Sequence, residues 1–228
     1  MQRVPVLILL LAVLTGGCDR GSYPTDDTGE EMDVLETIDL PPPSLEGPIS
    51  VDEALSARRS VREFTSEELT TAEIAQLLWA GQGINRDSGG RTNPSAGGLY
   101  PLELYLLSVD GMLHYSPEGH RAEVVSTVDL RADLQRVALD QEAVGEAPAV
   151  LVICGVYSRT ETRYGSRAER YVHLEAGHVA QSMLLQAVAL DLGGVPIGAF
   201  DDAGVQRVLD LPSSHQPLYL IPIGHPAE

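Results

Sequence analysis

The longest helical pattern in the chain runs over residues 166–192, and residues 179–190 within it are apolar on nearly every side. A helix without a polar face must be covered all round, and one domain of this size seldom hides a helix so completely. The pattern therefore predicts a helix at the heart of the fold, with a subunit interface helping to cover it. A length of 228 residues fits one domain plus a tail.

Charge narrows the partners. There are 33 acidic residues against 15 basic ones, a net charge of -18, and all 15 are arginine, with no lysine. That balance argues against duplex nucleic acid or anionic headgroups as an electrostatic partner, since both need surplus positive charge. Two cysteines, Cys18 and Cys154, cannot form a disulfide framework or a structural zinc site. Cys154 lies within an apolar run and reads as a buried, inert thiol.

The chain opens with Met1-Gln2-Arg3, an apolar run over residues 4–14, and Thr15-Gly16-Gly17-Cys18. This is the layout of a secretory signal, too short to span a membrane. The Gly-Gly-Cys ending resembles a bacterial lipobox. Residues 1–17 then form a lipoprotein signal peptide, with Cys18 the lipidated first residue of the mature chain; the plainer alternative is an ordinary signal peptide with an incidental cysteine. Residues 18–47 hold nine acids, one arginine and Pro41-Pro42-Pro43 without apolar periodicity, which predicts a disordered or extended tether. The domain proper is expected over 48–228, with a net charge of -11.

Within it, Ser50-Val51-Asp52-Glu53 and Thr70-Thr71-Ala72-Glu73 match the capping box and predict helices over 51–59 and 71–82. Strands are expected over 102–109 and 112–115, joined at Asp110-Gly111, and a doubly covered central strand over 149–157. A helix over 130–139 and the long helix follow, the latter capped by Gly193-Gly194. A strand over 195–200, an Asp201-capped helix and a strand over 217–223 close the chain. Helices and strands mix without strict alternation, so the class is α+β.

Several chemistries are unsupported. Gly81-Gln82-Gly83-Ile84-Asn85-Arg86 lacks the third glycine of a dinucleotide fingerprint, and a phosphate-binding Gly-Lys-Ser/Thr loop needs the absent lysine. His173 and His178, five apart, do not share a helix face for a metal, so no metal site is expected.

Three segments could carry chemistry. Arg58-Arg59-Ser60-Val61-Arg62 concentrates cations within an acidic domain, which suits a phosphate; equally, cations at a helix C-terminus offset its dipole. Asn93-Pro94-Ser95-Ala96-Gly97-Gly98-Leu99-Tyr100-Pro101 is a stiffened small-residue loop that lets backbone approach a flat ligand. Gly194-Val195-Pro196-Ile197-Gly198-Ala199-Phe200 is a strand interrupted so that N–H groups can face a ligand.

In this order and spacing, and with Leu174-Glu175-Ala176-Gly177-His178-Val179-Ala180-Gln181 and the continuation to Asp201-Asp202, the chain resembles the nitroreductase-like flavoproteins, most closely the SagB/thiazole-oxidase branch. The match covers about residues 50–225. It implies an FMN-binding α+β homodimer with a central mixed or antiparallel sheet flanked by helices and the flavin at the subunit interface. By that resemblance Arg58, Arg59 and Ser60 hold the phosphate and ribityl chain, and Arg62 faces the N1/C2=O edge. Pro94, Ser95, Ala96 and Gly97 line the ring from the partner subunit. Pro196, Ile197, Gly198 and Ala199 lie beside it, with the Gly198 N–H toward N5.

Two departures matter. Azoline-oxidising members commonly carry a Lys-Tyr pair before the long helix, where this chain has Arg163-Tyr164; arginine stays protonated and cannot be a base, leaving Tyr164 as the proton donor. The basic residue that many relatives place beyond the last strand is missing; Arg159, Arg163, Arg167 and Arg170 fall within about 80° of one helix face if the helix extends back past Gly165, and either Arg167 or Arg170 replaces the missing residue or these arginines form a solvated, salt-bridging face. The resulting expectation is a lipid-anchored FMN oxidoreductase of the bacterial cell envelope, outside the cytoplasm, acting on a small-molecule or peptide-like substrate with an unassigned electron donor. The alternative is a flavin-binding or catalytically silent interaction module on the same fold.

Overall fold

A computed structural model describes residues 32–227; the signal segment and Cys18 lie outside them. The centre is a seven-stranded sheet in the order β1-β4-β3-β2-β5-β7-β6, with every neighbouring pair antiparallel. The strands are β1 (Glu36–Asp39), β2 (Leu102–Ser108), β3 (Gly111–Ser116), β4 (Arg121–Ser126), β5 (Ala149–Gly155), β6 (Gly193–Gly194) and β7 (Gln216–Gly224). The helices are α1 (Val51–Ala57), α2 (Thr71–Gln82), α3 (Arg131–Val137), α4 (Glu142–Glu146), α5 (Tyr157–Tyr164), α6 (Ala168–Ala189) and α7 (Asp202–Val208).

Every residue of β5 is buried, as its unbroken apolar run requires, because β5 is covered on both faces. Leu151 and Ile153 point to one core with Leu77 and Leu78 of α2 and Val179, Met183 and Leu184 of α6. Val150, Val152 and Cys154 point to the other, with Leu134, Val144 and Val205 of the shorter helices. Burial drives the Cys154 thiol pKa upward, so it is the inert group anticipated.

Both capping boxes form: Glu53 and Ser50, and Glu73 and Thr70, satisfy each other's backbone donors. The Asp110-Gly111 hairpin also forms.

Four expectations change. The folded body starts well before residue 48, because Glu36–Asp39 pairs with β4 along the sheet edge. Leu40 is buried in the main core, the Pro41 carbonyl meets His120 Nε2 at 3.0 Å, and the Ser44 N–H donates to Gln76 Oε1 at 2.8 Å. These bonds are long-range, so no local periodicity announces them.

The long helix is shorter than 166–192 and ends without help from Gly193-Gly194. Asp191 takes the left-handed conformation (φ 57°), the Leu192 N–H reaches Ala187 C=O at 2.8 Å, and the Asp191 N–H reaches Val188 C=O at 3.2 Å. That is a Schellman closure with Asp in the place usual for glycine, and it frees Gly193–Gly194 to pair with β7.

Helix α6 is also not buried on every face within one protomer. Leu174, Gly177, His178 and Gln181 are exposed and Leu185 and Val188 half-buried, a stripe spaced three and four residues apart. Finally, residues 195–200 form no continuous strand; only Ile197 bridges to Leu220.

The fold makes a test of the N-terminal segment direct. Leu40→Ala should lower unfolding stability by about 2 kcal/mol through loss of buried apolar contact, while Leu45→Ala, at an 81% exposed position, should leave the urea midpoint unchanged. Equal effects at both positions would contradict the packing of this segment.

Candidate functional site

The three sequence segments gather into two groups. In the first, Arg58 ends α1 and the chain turns outward so that Ser60 bridges to Gly194 in parallel register. The Val61 N–H donates to Gly194 C=O at 3.1 Å. Gly194 must be glycine here, because an added Cβ would lie 2.9 Å from the Pro222 carbonyl. The C-terminal tail closes the far side: the Thr65 N–H donates to His225 C=O and the Ala227 N–H to Glu63 C=O. The arginine segment is thus held between β6 and residues 225–227.

Among the described residues, Arg58, Arg59 and Arg62 have no ion-pair partner, and Arg59, Ser60 and Arg62 are exposed. Three guanidinium groups without an ion-pair partner among the described residues, on a domain of negative net charge, leave positive charge available to an anion. A few residues on from Gly194, Pro196, Gly198 and Ala199 are exposed while Ile197 is anchored by reciprocal backbone bonds to Leu220. A Cβ at Gly198 would meet nothing nearer than Tyr219 at 3.9 Å, so the surface beside it is open. These residues suit a phosphate-bearing cofactor with a flat ring.

The second group is built on α2, α5 and α6. Asn93 is buried, its amide donating to the Ala80 and Gly81 carbonyls at 2.9 and 2.8 Å and its oxygen accepting from Ser182 at 2.6 Å. It satisfies the orphan carbonyls at the end of α2 from a distance. The loop that follows turns at Gly97 (φ 67°), where a Cβ would meet Arg163 Nη1 and the Tyr164 hydroxyl at 2.9 Å each. Ser95 Oγ accepts the Tyr100 N–H at 2.8 Å. Tyr164 therefore sits at this loop with Pro94, Ser95, Ala96 and Gly97, its ring edge-on to Tyr171 at 5.0 Å.

Beneath the loop lies Glu175, 3% exposed, which the sequence marked only as part of a motif. Burial raises its carboxyl pKa to about 7, against the downward pull of the Ser95 hydroxyl, the Arg91 charge, the Gln82 side chain and the Ala96 N–H. Glu175 and Ser182, seven residues apart, share a face of α6. Leu184, which packs toward Gly194, is about half a turn round from Glu175 and about 13 Å along the axis. The first and second groups therefore lie on different sides of α6.

The arginines sort themselves. Gly165 (φ 52°) breaks α5 from α6, so Arg159, Arg163, Arg167 and Arg170 do not form one continuous face. Arg159 is taken up by Glu103 at 2.5 Å and the Tyr100 carbonyl at 3.3 Å. Arg163 turns to Gly97 C=O at 3.4 Å. Arg167 and Arg170 are exposed and without an ion pair among the described residues. No metal-binding cluster occurs among the described residues.

Glu175 yields a pH signature. Its folded pKa of about 7 lies above the ordinary value of 4.5, so the folded state binds the extra proton and Glu175 costs nothing below pH 4.5. Stability falls as pH rises through about 7, by on the order of 3 kcal/mol. Glu175→Gln should remove this loss, so that variant and wild type diverge between pH 4.5 and 7.5 in denaturant titrations. Parallel curves would contradict the assignment.

The family model for nitroreductases matches residues 55–225. A Methanocaldococcus jannaschii protein provisionally named as a nitroreductase is 39% identical over 85% of this chain and 99% of its own. The NADPH-flavin oxidoreductase of Vibrio harveyi is 26% identical over 76% and 65%, and the Escherichia coli microcin B17-processing protein McbC 25% identical over 53% and 48%. A crystal structure from Ralstonia eutropha, also provisionally named as a nitroreductase, superposes with a TM-score of 0.76 at 28% identity, covering 84% of this chain and 90% of that one. With its antiparallel sheet, its flanking helices and McbC among its homologues, the chain belongs to the nitroreductase family, in the SagB-type branch.

Proposed function

We propose that the protein is an FMN-dependent oxidoreductase that works as a homodimer, each site built from the first group of one subunit and the second group of the other. The observation that carries this reading is the set of unneutralised arginines at 58, 59 and 62, held beside Gly194 and the open surface at Gly198. When bound, FMN supplies two-electron hydride chemistry. Arg58, Arg59 and Ser60 hold the phosphate and ribityl end, with Arg167 or Arg170 adding charge there. Arg62 would offset negative charge on a bound flavin. Pro196, Ile197, Gly198 and Ala199 would present backbone to it.

The second group lies on the other side of α6 from the first, and the exposed stripe of Leu174, Gly177, His178 and Gln181 on that helix supports a partner lying on it. The partner's loop then brings Pro94 to Gly97 over the ring and Tyr164 to the substrate side. Tyr164 is the group on the surface of that loop able to give a proton, since the neighbouring Arg163 keeps its own and Glu175 is buried beneath the loop. The exposed Val51 and Leu55 extend the apolar surface at α1.

Localisation follows from the N-terminus: a lipid on Cys18 anchors the enzyme in the bacterial cell envelope, outside the cytoplasm. No helix among the described residues is long and apolar enough to cross a membrane. The substrate is a small or peptide-like molecule, and the reductant is a membrane quinol, another flavoprotein or the substrate itself.

The purified protein should carry or take up FMN, with a visible flavin spectrum that bleaches with dithionite. Arg58→Ala combined with Arg62→Ala should weaken FMN binding by at least about tenfold, the loss of two charge-assisted contacts. Tyr164→Phe should keep the flavin and lose turnover. Failure to bind flavin after reconstitution would overturn the enzymatic reading in favour of a silent interaction module.

A further inference from the structure

The corner between α3 and α4 is strained. Leu139 and Asp140, neither of them glycine, take successive left-handed conformations (φ 59° and 55°), which a Cβ disfavours. Packing does not hold Leu139 there, since it is 65% exposed. Backbone bonds do: the Asp140 N–H donates to Gln135 C=O at 3.0 Å and the Gln141 N–H to Ala138 C=O at 3.3 Å. Strain of this kind persists where the surroundings over-determine the geometry, and it marks places to search for function. What the bend delivers is the Gln141 side chain. Its Nε2 donates to the Ala138 carbonyl at 2.8 Å and, across 58 residues of chain, to the Ala199 carbonyl at 2.9 Å. The Asp201 N–H donates to Val137 C=O at 2.9 Å, so the corner grips the chain just past Ala199 as well.

Ala199 belongs to the segment of the first group whose surface is open, and the two ends of that segment are pinned by different means. At the near end Ile197 and Leu220 exchange both backbone bonds, at 2.8 and 3.0 Å. In a trans peptide the C=O and the following N–H point opposite ways, so the Ile197 carbonyl, turned to Leu220, sends the Gly198 N–H away from β7. At the far end the Phe200 side chain packs against the second core, but a side chain does not set the rotation of the peptide that precedes it. The 199–200 peptide is set by Gln141. Between these two fixed planes lies the 198–199 peptide, and neither the Gly198 nor the Ala199 N–H donates to a backbone carbonyl among the described residues. Because Gly198 has no Cβ, release of the Ala199 carbonyl would let that middle peptide turn.

We propose that Gln141 is a positioning residue for the cofactor-facing segment: by holding the Ala199 carbonyl it keeps the unbonded Gly198 and Ala199 N–H groups in one fixed arrangement for the acceptor atoms of a bound ring. The proposal rests on the reading of this segment as part of a flavin site, and it extends that site to a residue outside the three sequence segments. The donor chemistry of the side chain carries the role. The Ala138 and Ala199 carbonyls are both acceptors, so position 141 needs an N–H on a side chain long enough to reach them. Leucine fills similar space without a donor, whereas lysine supplies donors at similar reach.

Gln141→Leu and Gln141→Lys decide it, with circular dichroism and the urea midpoint establishing that each is folded; the position is half-buried at the surface, which favours that. In the purified protein before FMN is added, ¹⁵N relaxation should give Gly198 and Ala199 rigid-backbone order parameters of about 0.85 in the wild type and in Gln141→Lys, falling toward about 0.6 in Gln141→Leu. FMN should then bind Gln141→Leu about tenfold more weakly, because the freed peptide must be ordered at the binding step, and Gln141→Lys with wild-type affinity. Unchanged order parameters or unchanged FMN affinity in Gln141→Leu, or a Gln141→Lys variant as impaired as Gln141→Leu, would overturn the proposal and leave the flavin reading standing. A wild type that takes up no FMN would overturn the flavin reading, and this proposal with it.

Discussion

Helix α6 is the constraint on which the other features depend. It packs Val179, Met183 and Leu184 into the main core, carries Glu175 and Ser182 under the Asn93–Gly98 loop, and leaves a third stripe, with Leu174, Gly177, His178 and Gln181, open. Twenty-two residues without a fully polar face serve three neighbours at once: the sheet, the loop and the surface available to another copy. The same helix separates the arginine segment from Tyr164, and that packing is the basis for proposing a site divided between two subunits.

Buried charge is the second organising feature. Glu103, His114, Glu123 and Arg159 form a closed network in which burial works against ionisation of Glu103, and hydrogen bonding and charge from His114 and Arg159 outweigh it. His114 is correspondingly raised to about 9 by its two carboxylates, against its own desolvation. These are two views of one interaction and count once. Glu175 is the contrasting case, since its polar neighbours do not offset burial, and it is the described carboxylate whose proton is in play near neutrality.

What could be read from the sequence was local or strongly periodic. Ser50 and Thr70 announce helix starts because capping uses residues three apart, and the run from Ala149 announces a doubly covered strand. The arginine segment stood out because it opposes the sign of its own domain. Contacts made over long separations were not legible: nothing near Glu36 signals pairing with β4, nothing near Asn93 signals the end of α2, and Glu175 resembles any acid on a helix. Gly193-Gly194 misled because two glycines after a helix resemble a cap, whereas Asp191 closes α6 and the glycines admit Ser60 and β7. The break at Gly165 likewise splits an arginine face that spacing alone would have joined.

The central claim is that one flavin site draws on two subunits, and subunit complementation tests it most directly. One variant carries Arg58→Ala and Arg62→Ala, the other Gly97→Val, and each alone should bind FMN poorly. When the two are co-expressed and the mixed dimer is isolated with differential tags, one intact site re-forms from the unaltered halves, and the account predicts one tightly bound FMN per mixed dimer. A mixed dimer that binds no better than either parent would contradict it.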